Sequence, residues 1–516
     1  MLAAIMMMAM SVTAFAAEGA TGTLTLTVNV KSTTPAQDLN GQTINLYKLF
    51  DVTESGTTGS KNYAYTVNTD YKTALISVLT SLRTSVPTIP EVTVTSTDEQ
   101  FSKAVASLET AGKVQDFAND FTAYALKNSL VATKTSGKIK ESKTSHNFTG
   151  LDAGYYLVYV TGGKEIQSSL VTVDADTTQV NLKSETPSIE KKADKETVSI
   201  GQVVKYTVTA SIPDTTGYAE YVYKIHDTLS TGLDFVKNAD GDALDNATEA
   251  NVTIAFKDTG VTAVGTTPTT AALSGEGNRT MALDLSAWVR DNQTNKGKAF
   301  TVTYYAKVNA NAVVTEKNSA TLEYGNKPSE TTKTTPSEAK TPTYPLDILK
   351  KKAGTGTGEV ALEKLAGAKF KLYKDSVDDT NVIKVSETAV KGSYVVDPTS
   401  ATTEFESVGN IEEQGYNLRV NGLAAGTYYL VETQAPEGFN KLTDPIKVTI
   451  TKDGDTNWTV KKNDTAEDDK IIDVENSSGS LLPSTGGRGA IAFAVIAALL
   501  VFGVAVSFIR DKRKEA

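Results

Sequence analysis

The chain has 516 residues, with 51 Lys and Arg against 61 Asp and Glu, a formal net charge of −10, two His and no Cys. That acidity argues against nucleic acid as a partner. With His146 and His226 the only imidazoles and no thiol, a zinc site or a His-based triad is not expected, and no metal or cofactor is assigned.

The first element is an apolar leader, Met1 to Ala17, holding five of the six Met and closing on the small-x-small pattern Ala14-Phe15-Ala16. It reads as a signal peptide, residues 1–17. The exported remainder is rich in Thr, Val, Tyr and Ile, in short alternating runs such as Thr23–Val30, Val203–Ala210 and Phe300–Ala306. Such runs predict a mainly β chain. The exception is helical spacing over Tyr71–Leu82 and Phe101–Leu126, read as helical insertions that pack on the sheets of the first domain. Two punctuated stretches, Lys183–Pro187 and Asn326–Pro345, read as linkers. They divide the chain into domains at about 20–183, 184–328 and 343–478.

After the third domain comes Leu482-Pro483-Ser484-Thr485-Gly486, then an apolar run from Ala490 to Ile509, then Arg510-Asp511-Lys512-Arg513-Lys514. The run has the length of a transmembrane helix, residues 490–509, and the basic tail favours the cytoplasmic side. The three-part order over 482–516 resembles the sorting signal of Gram-positive proteins that sortases attach to the cell wall. The resemblance implies cleavage between Thr485 and Gly486, with the Thr485 carbonyl passed to an amine.

The third domain opens on Leu346-Asp-Ile348-Leu-Lys350 and closes on Ile471-Ile-Asp-Val-Glu-Asn476, with Tyr428-Tyr-Leu430-Val-Glu432 between. Strand alternation puts Lys350 on the face of Leu346 and Ile348, Asn476 on that of Ile472 and Val474, and Glu432 on that of Leu430. Lys351 and Lys352 read as exposed charges at the strand end. Three polar groups thus end three apolar faces, which is costly unless they meet. Burial makes a lysine easier to deprotonate and a carboxyl harder to ionise. A neutral amine is a nucleophile, and a protonated acid beside a carboxamide polarises it.

Leu365–Tyr373 and Gly426-Thr-Tyr-Tyr-Leu-Val-Glu432-Thr-Gln-Ala-Pro436-Glu-Gly-Phe439 resemble the Cna-B-type immunoglobulin-like domains of Gram-positive pilins and adhesins, with Phe439 where Tyr is usual. The resemblance implies a β-sandwich with a self-formed isopeptide bond between Lys350 and Asn476, catalysed by Glu432. In the second domain, Pro187-Ser-Ile189-Glu-Lys191, Tyr223–Phe235 around Asp227, and Lys317-Asn318 resemble the second domain of fimbrial shaft proteins. There the resemblance implies Lys191 as nucleophile, Asn318 as electrophile and Asp227 as acid. Asn326 in place of Asn318, Lys192 in place of Lys191, and a turn role for Asp227 stay open. In the first domain Gly150–Val158 is similar to the start of the Glu432 strand, but Tyr159-Val-Thr stands where Glu432 does, so no isopeptide bond is expected there.

Lys183, in Val180-Asn-Leu-Lys183-Ser-Glu-Thr-Pro187, resembles the acceptor lysine of pilus shaft proteins, with Asn181-Leu182 where Tyr-Pro is usual. Together these resemblances imply three tandem immunoglobulin-like sandwiches of Cna-A and Cna-B type. They imply the backbone subunit of a cell-surface pilus, a homopolymer in which a pilin-specific sortase joins Thr485 to Lys183 of the next subunit. The implied further partners are peptidoglycan, through a housekeeping sortase, and tip and base pilins. The bond chemistry turns over once on the chain itself, so no enzyme acting on another substrate is expected. The rival expectation is a monomeric wall-anchored adhesin that uses the same domains as a stalk.

Overall fold

The computed structural model describes residues 22–478, except 31–38, 58–59, 111, 162–166, 176–177, 183–186, 216–219, 326–327, 330, 357 and 359. The leader, Lys183, Asn326, the 482–486 motif and the 490–509 run therefore lie outside the described residues. Two compact units emerge. One takes in the described residues up to Glu196, Gln202–Val308 and Glu316–Thr341. The other comprises Thr197–Gly201, Asn309–Thr315 and the described residues from Pro342 on.

The first unit holds two pairs of sheets. Residues before 183 supply β1 (Leu24–Val30), β2 (Thr43–Thr57), β3 (Ser60–Val67), β4 (Lys134–Lys138), β5 (Ser145–Leu151), β6 (Gly154–Thr161), β7 (Gln167–Val173) and β8 (Gln179–Leu182). One sheet runs β5-β1-β8; the other runs β3-β2-β6-β7, with β4 also on β2. Every residue of β6 is buried, because one side meets the facing sheet and the other meets helices. The helical spacing resolves into three helices, α1 (Lys72–Ser85), α2 (Asp98–Thr110) and α3 (Val114–Lys127). The expected single run over Phe101–Leu126 breaks around Gly112, which has φ +65°, a left-handed conformation that favours glycine. Phe101, Val105, Leu108, Phe117 and Phe121 share one core with Tyr47, Leu157 and Tyr159, so these helices are packing elements.

The second pair of sheets uses β9 (Glu190–Ala193), β10 (Val203–Ser211), β11 (Val222–Leu229), β12 (Leu233–Val236), β13 (Glu249–Asn251) and β14 (Thr253–Phe256). It continues with β15 (Thr270–Ser274), β16 (Thr280–Asp284), α4 (Ser286–Asp291), β17 (Ala299–Val308), β18 (Lys317–Gly325), β19 (Thr332–Lys333) and β20 (Ser337–Lys340). One sheet is β12-β17-β10-β9 with β14 on β17; the other is β13-β15-β16-β11-β18-β19 with β20 on β18. Here an expectation fails. The stretch 326–345 is not simply a linker, because β19 and β20 return antiparallel onto β18, with Lys317 opposite Lys340. The sheet therefore extends past residue 328. Its Thr and Ser content concealed it, since an edge strand can pair through its backbone with few apolar side chains.

The second unit is another sandwich. Its strands are β21 (Tyr344–Lys352), β22 (Lys369–Lys374), β23 (Val385–Glu387), β24 (Ser393–Val396), β25 (Glu404–Glu406) and β26 (Leu418–Leu423). They are followed by β27 (Gly426–Gln434), β28 (Ile446–Asp453), β29 (Asn457–Lys462), β30 (Thr465–Glu467) and β31 (Ile471–Asn476). The sheets run β23-β24-β26-β21-β31 and β25-β22-β27-β28-β29-β30. First strand and last strand are parallel neighbours, Asp347 opposite Ile471 through Lys352 opposite Asn476. Among the described residues, no helix is long and apolar enough to cross a membrane.

Candidate functional site

In the second unit, strand alternation places the three polar residues inside. Lys350, Glu432 and Asn476 are buried at 0%, 3% and 1% exposure. Lys350 and Asn476 come from adjacent strands of one sheet, and Glu432 comes from β27 of the other. Lys350 Nζ lies 3.6 Å from Glu432 Oε1 and donates to the Val474 carbonyl at 3.2 Å. Asn476 Nδ2 donates to Glu432 Oε2 at 2.9 Å and to the Asn440 carbonyl at 2.7 Å. Glu432 Oε2 also accepts from the Leu442 N–H at 2.7 Å, which holds the carboxylate in place. Burial pulls the Lys350 pKa down to about 8, against the opposing pull of the Glu432 charge. A usable fraction of neutral amine therefore exists near neutral pH. Lys351 is less exposed than expected, since its ammonium is paired with Asp473 at 2.5 Å; Lys352 pairs with Glu363 at 3.0 Å.

Sequence reasoning missed Asn417. It is fully buried, accepts from the Lys350 N–H at 2.7 Å, and donates to the carbonyls of Lys350 (3.1 Å), Leu365 (3.1 Å) and Val408 (2.7 Å). It therefore locks the backbone that carries the amine. An Asn just before a strand is an ordinary loop signal, so nothing in the pattern marks it.

The corresponding group in the first unit is built differently. Lys191 is on β9 of one sheet, while Asp227 on β11 and Asn318 on β18 are neighbours in the facing sheet, with Asp227 opposite Ala320 and Leu229 opposite Asn318. All three are buried. Lys191 Nζ is paired with Asp227 Oδ2 and also hydrogen-bonded to the phenol of Tyr304 on β17. The Tyr304 hydroxyl donates to Asp227 Oδ2 at 2.5 Å and accepts from Asn318 Nδ2 at 3.1 Å. The ammonium also lies 4.9 and 4.8 Å from the ring centroids of Tyr206 and Tyr304. Burial lowers the Lys191 pKa, opposed by Asp227, and the same burial raises that of Tyr304 well above the ordinary phenol value. Lys192, the other donor considered, points outward and pairs with Glu190 at 2.8 Å. Asn326 lies outside the described residues.

At the equivalent place in the first pair of sheets Tyr159 stands where the acid does in the second unit. Tyr159 is buried, and its hydroxyl lies 3.2 Å from that of Tyr47. Lys48 stands opposite Tyr156, and its ammonium is paired with Asp51 at 2.7 Å and Asp152 at 3.0 Å, both of which are substantially solvent-exposed.

Residues 351–465 match the SpaA prealbumin-like fold domain. A curated relative, the fimbrial subunit type 1 of Actinomyces viscosus, is 29% identical over 174 residues, covering 31% of each chain. The matched segment thus spans under a third of that relative's length. Solved structures with similarity include the T6 backbone pilin of serotype M6 Streptococcus pyogenes, at 15% identity and TM-score 0.42 over 89% of this chain and 99% of that one. The Corynebacterium diphtheriae major pilin SpaA gives 15% identity and TM-score 0.44 over 88% and 100%.

Proposed function

We propose that this chain is the backbone subunit of a covalently polymerised pilus on a Gram-positive cell surface, held rigid by two self-formed isopeptide bonds. The reading rests on one observation: two separate sandwiches each bury a lysine, a carboxylate and an asparagine together. The domain match over 351–465 and the fimbrial relative support it.

In the Lys350 site the neutral amine attacks the Asn476 carboxamide carbon. The new C–N bond forms, the C–Nδ2 bond breaks, and ammonia leaves with the proton that Glu432 has carried across from the amine. The carboxyl ends as it began. In the second site Lys191 and Asn318 react with Asp227 as the acid. A pilin-specific sortase cleaves after Thr485, in Leu482-Pro483-Ser484-Thr485-Gly486, and joins it to Lys183 of the next identical subunit. A housekeeping sortase moves the finished polymer to peptidoglycan, and tip and base pilins complete it.

The test is an immunoblot of cell-wall extract boiled in SDS, from wild type and a Lys183→Arg strain. A high-mass ladder that collapses to one band in the variant is expected. A single band in both strains overturns the polymer and leaves a monomeric wall-anchored protein. A ladder in both moves the junction to another lysine.

A further inference from the structure

The two buried sites differ in one respect that their chemistry must accommodate. Glu432 reaches the Asn476 carboxamide nitrogen directly, at 2.9 Å. Asp227 is one methylene shorter. The hydrogen bond of the Asn318 carboxamide nitrogen goes instead to Tyr304 Oη, whose own proton goes to Asp227 Oδ2. The same phenol touches the Lys191 amine. One hydroxyl therefore contacts the nucleophile, the acid and the leaving nitrogen. It is supplied by β17, a strand that carries none of the other three groups.

We propose that Tyr304 is a catalytic residue of the Lys191–Asn318 reaction, the relay that carries a proton from Asp227 to the departing nitrogen. The inference rests on the isopeptide reading of this site. The Lys191 ammonium first gives a proton to Asp227, leaving a neutral amine and a carboxylic acid. The amine attacks Asn318 Cγ, the new C–N bond forms, and the carbonyl π pair moves onto Oδ1. Tyr304 then passes its phenolic proton to Nδ2, takes the Asp227 proton in its place, and Asp227 collects the second proton from the former Lys191 nitrogen. The Oδ1 pair reforms the carbonyl, the C–Nδ2 bond breaks, and ammonia departs. The amide, neutral Tyr304 and protonated Asp227 remain, so atoms and charges balance. Burial keeps the phenol protonated, so the relay begins with a proton to give. Asn318 Oδ1, which takes the negative charge, has no hydrogen-bond partner among the described residues.

Tyr304 also packs on Tyr206 and Phe235, so the test must separate packing from proton transfer. Full-length mature chains would be compared by intact mass and by digestion, looking for the branched peptide that joins Lys191 to Asn318. Wild type should lack one ammonia at this site, and Asp227→Ala should retain it. Failure of wild type to lose it overturns the isopeptide reading, and the relay with it. Given that loss, Tyr304→Phe, which keeps the ring, should form the bond roughly 100-fold more slowly, the usual scale of one general acid–base group. The double variant Asp227→Glu with Tyr304→Phe should recover most of the rate, because the longer carboxylate reaches the nitrogen as Glu432 does. Tyr304→Phe that is already fully reacted on isolation overturns the relay while leaving the bond intact. Should Tyr304→Phe fold poorly, fluorotyrosine at 304 keeps the shape and lowers the phenol pKa. The pH dependence of bond formation should then move to lower pH, and an unmoved profile overturns the proposal.

Discussion

Asn476 stands opposite Lys352, not Lys350, across the parallel pair of first and last strands. Lys350 is opposite Val474, so its side chain would have to run diagonally by one same-face step to meet the carboxamide, which shares Glu432 with it. The donor bond from Lys350 Nζ to the Val474 carbonyl marks that path. Lys352 shares the face but lies at the open end of the strand, where Glu363 holds its ammonium. Depth, not register, therefore decides which of the two amines is buried beside Glu432.

The first consequence is a mass. Wild-type mature chain should be lighter than its sequence by two ammonia molecules, one for each site. Glu432→Ala should regain one of them, because nothing else within hydrogen-bond reach of Asn476 Nδ2 is an acid. An equal deficit in the two proteins, each measured against its own sequence mass, would overturn the role of Glu432.

Stability against pH should distinguish bonded from unbonded chain. In Asn476→Ala no bond can form and Lys350 stays a titratable amine, with a folded-state pKa of about 8 against the ordinary lysine value of 10.5. Below pH 8 both states hold the proton, and the cost of the buried charge is fully present. Between pH 8 and 10.5 the unfolded state binds more protons, so stability rises with pH, by on the order of 3 kcal/mol in total. Denaturant titrations across that window should give this rise in Asn476→Ala. Wild type, with its Lys350 nitrogen in the proposed amide, should lack that contribution.

Asn417→Ala tests the backbone lock. Removal leaves the Lys350 N–H and the Val408 carbonyl without the partners seen here, at about 1–3 kcal/mol for each buried group. The variant should lose about 2–6 kcal/mol by denaturant midpoint and accumulate unreacted chain. A fully reacted variant of wild-type stability would remove Asn417 from any part in positioning the amine.

Force should find the two bonds directly. They would bridge 127 residue steps from 191 to 318 and 126 from 350 to 476. Pulled between Lys183 and Thr485 in a single-molecule instrument, wild type should show no unfolding step from either domain. Asp227→Ala and Glu432→Ala should each add one extension of roughly 400 Å at full chain length.

Much of this arrangement is local and therefore legible in the residues. A strand turns successive side chains to opposite faces. The runs ending at Lys350, Glu432 and Asn476 could thus be seen to aim a polar group along an apolar face, and the burial of all three agrees with that aim. Helical spacing over 101–126 located α2 and α3 but did not reveal the break between them. β19 and β20 were invisible because an edge strand pairs through its backbone, which every residue except Pro carries with the same donor and acceptor.

By itself, then, the sequence determined which residues point inward, the mainly β character, and which lysines could be buried. Only the tertiary structure decided which inward groups share a space. Lys191 and Asp227 belong to facing sheets, Lys350 and Asn476 to one sheet, and these convergences depend on strand order and sheet packing over more than a hundred residues. Tyr304 and Asn417 emerged only at that level. A tyrosine on an apolar strand face and an asparagine in a loop are unremarkable in period and composition. Their roles come from the few ångströms that separate them from an amine brought in by another strand.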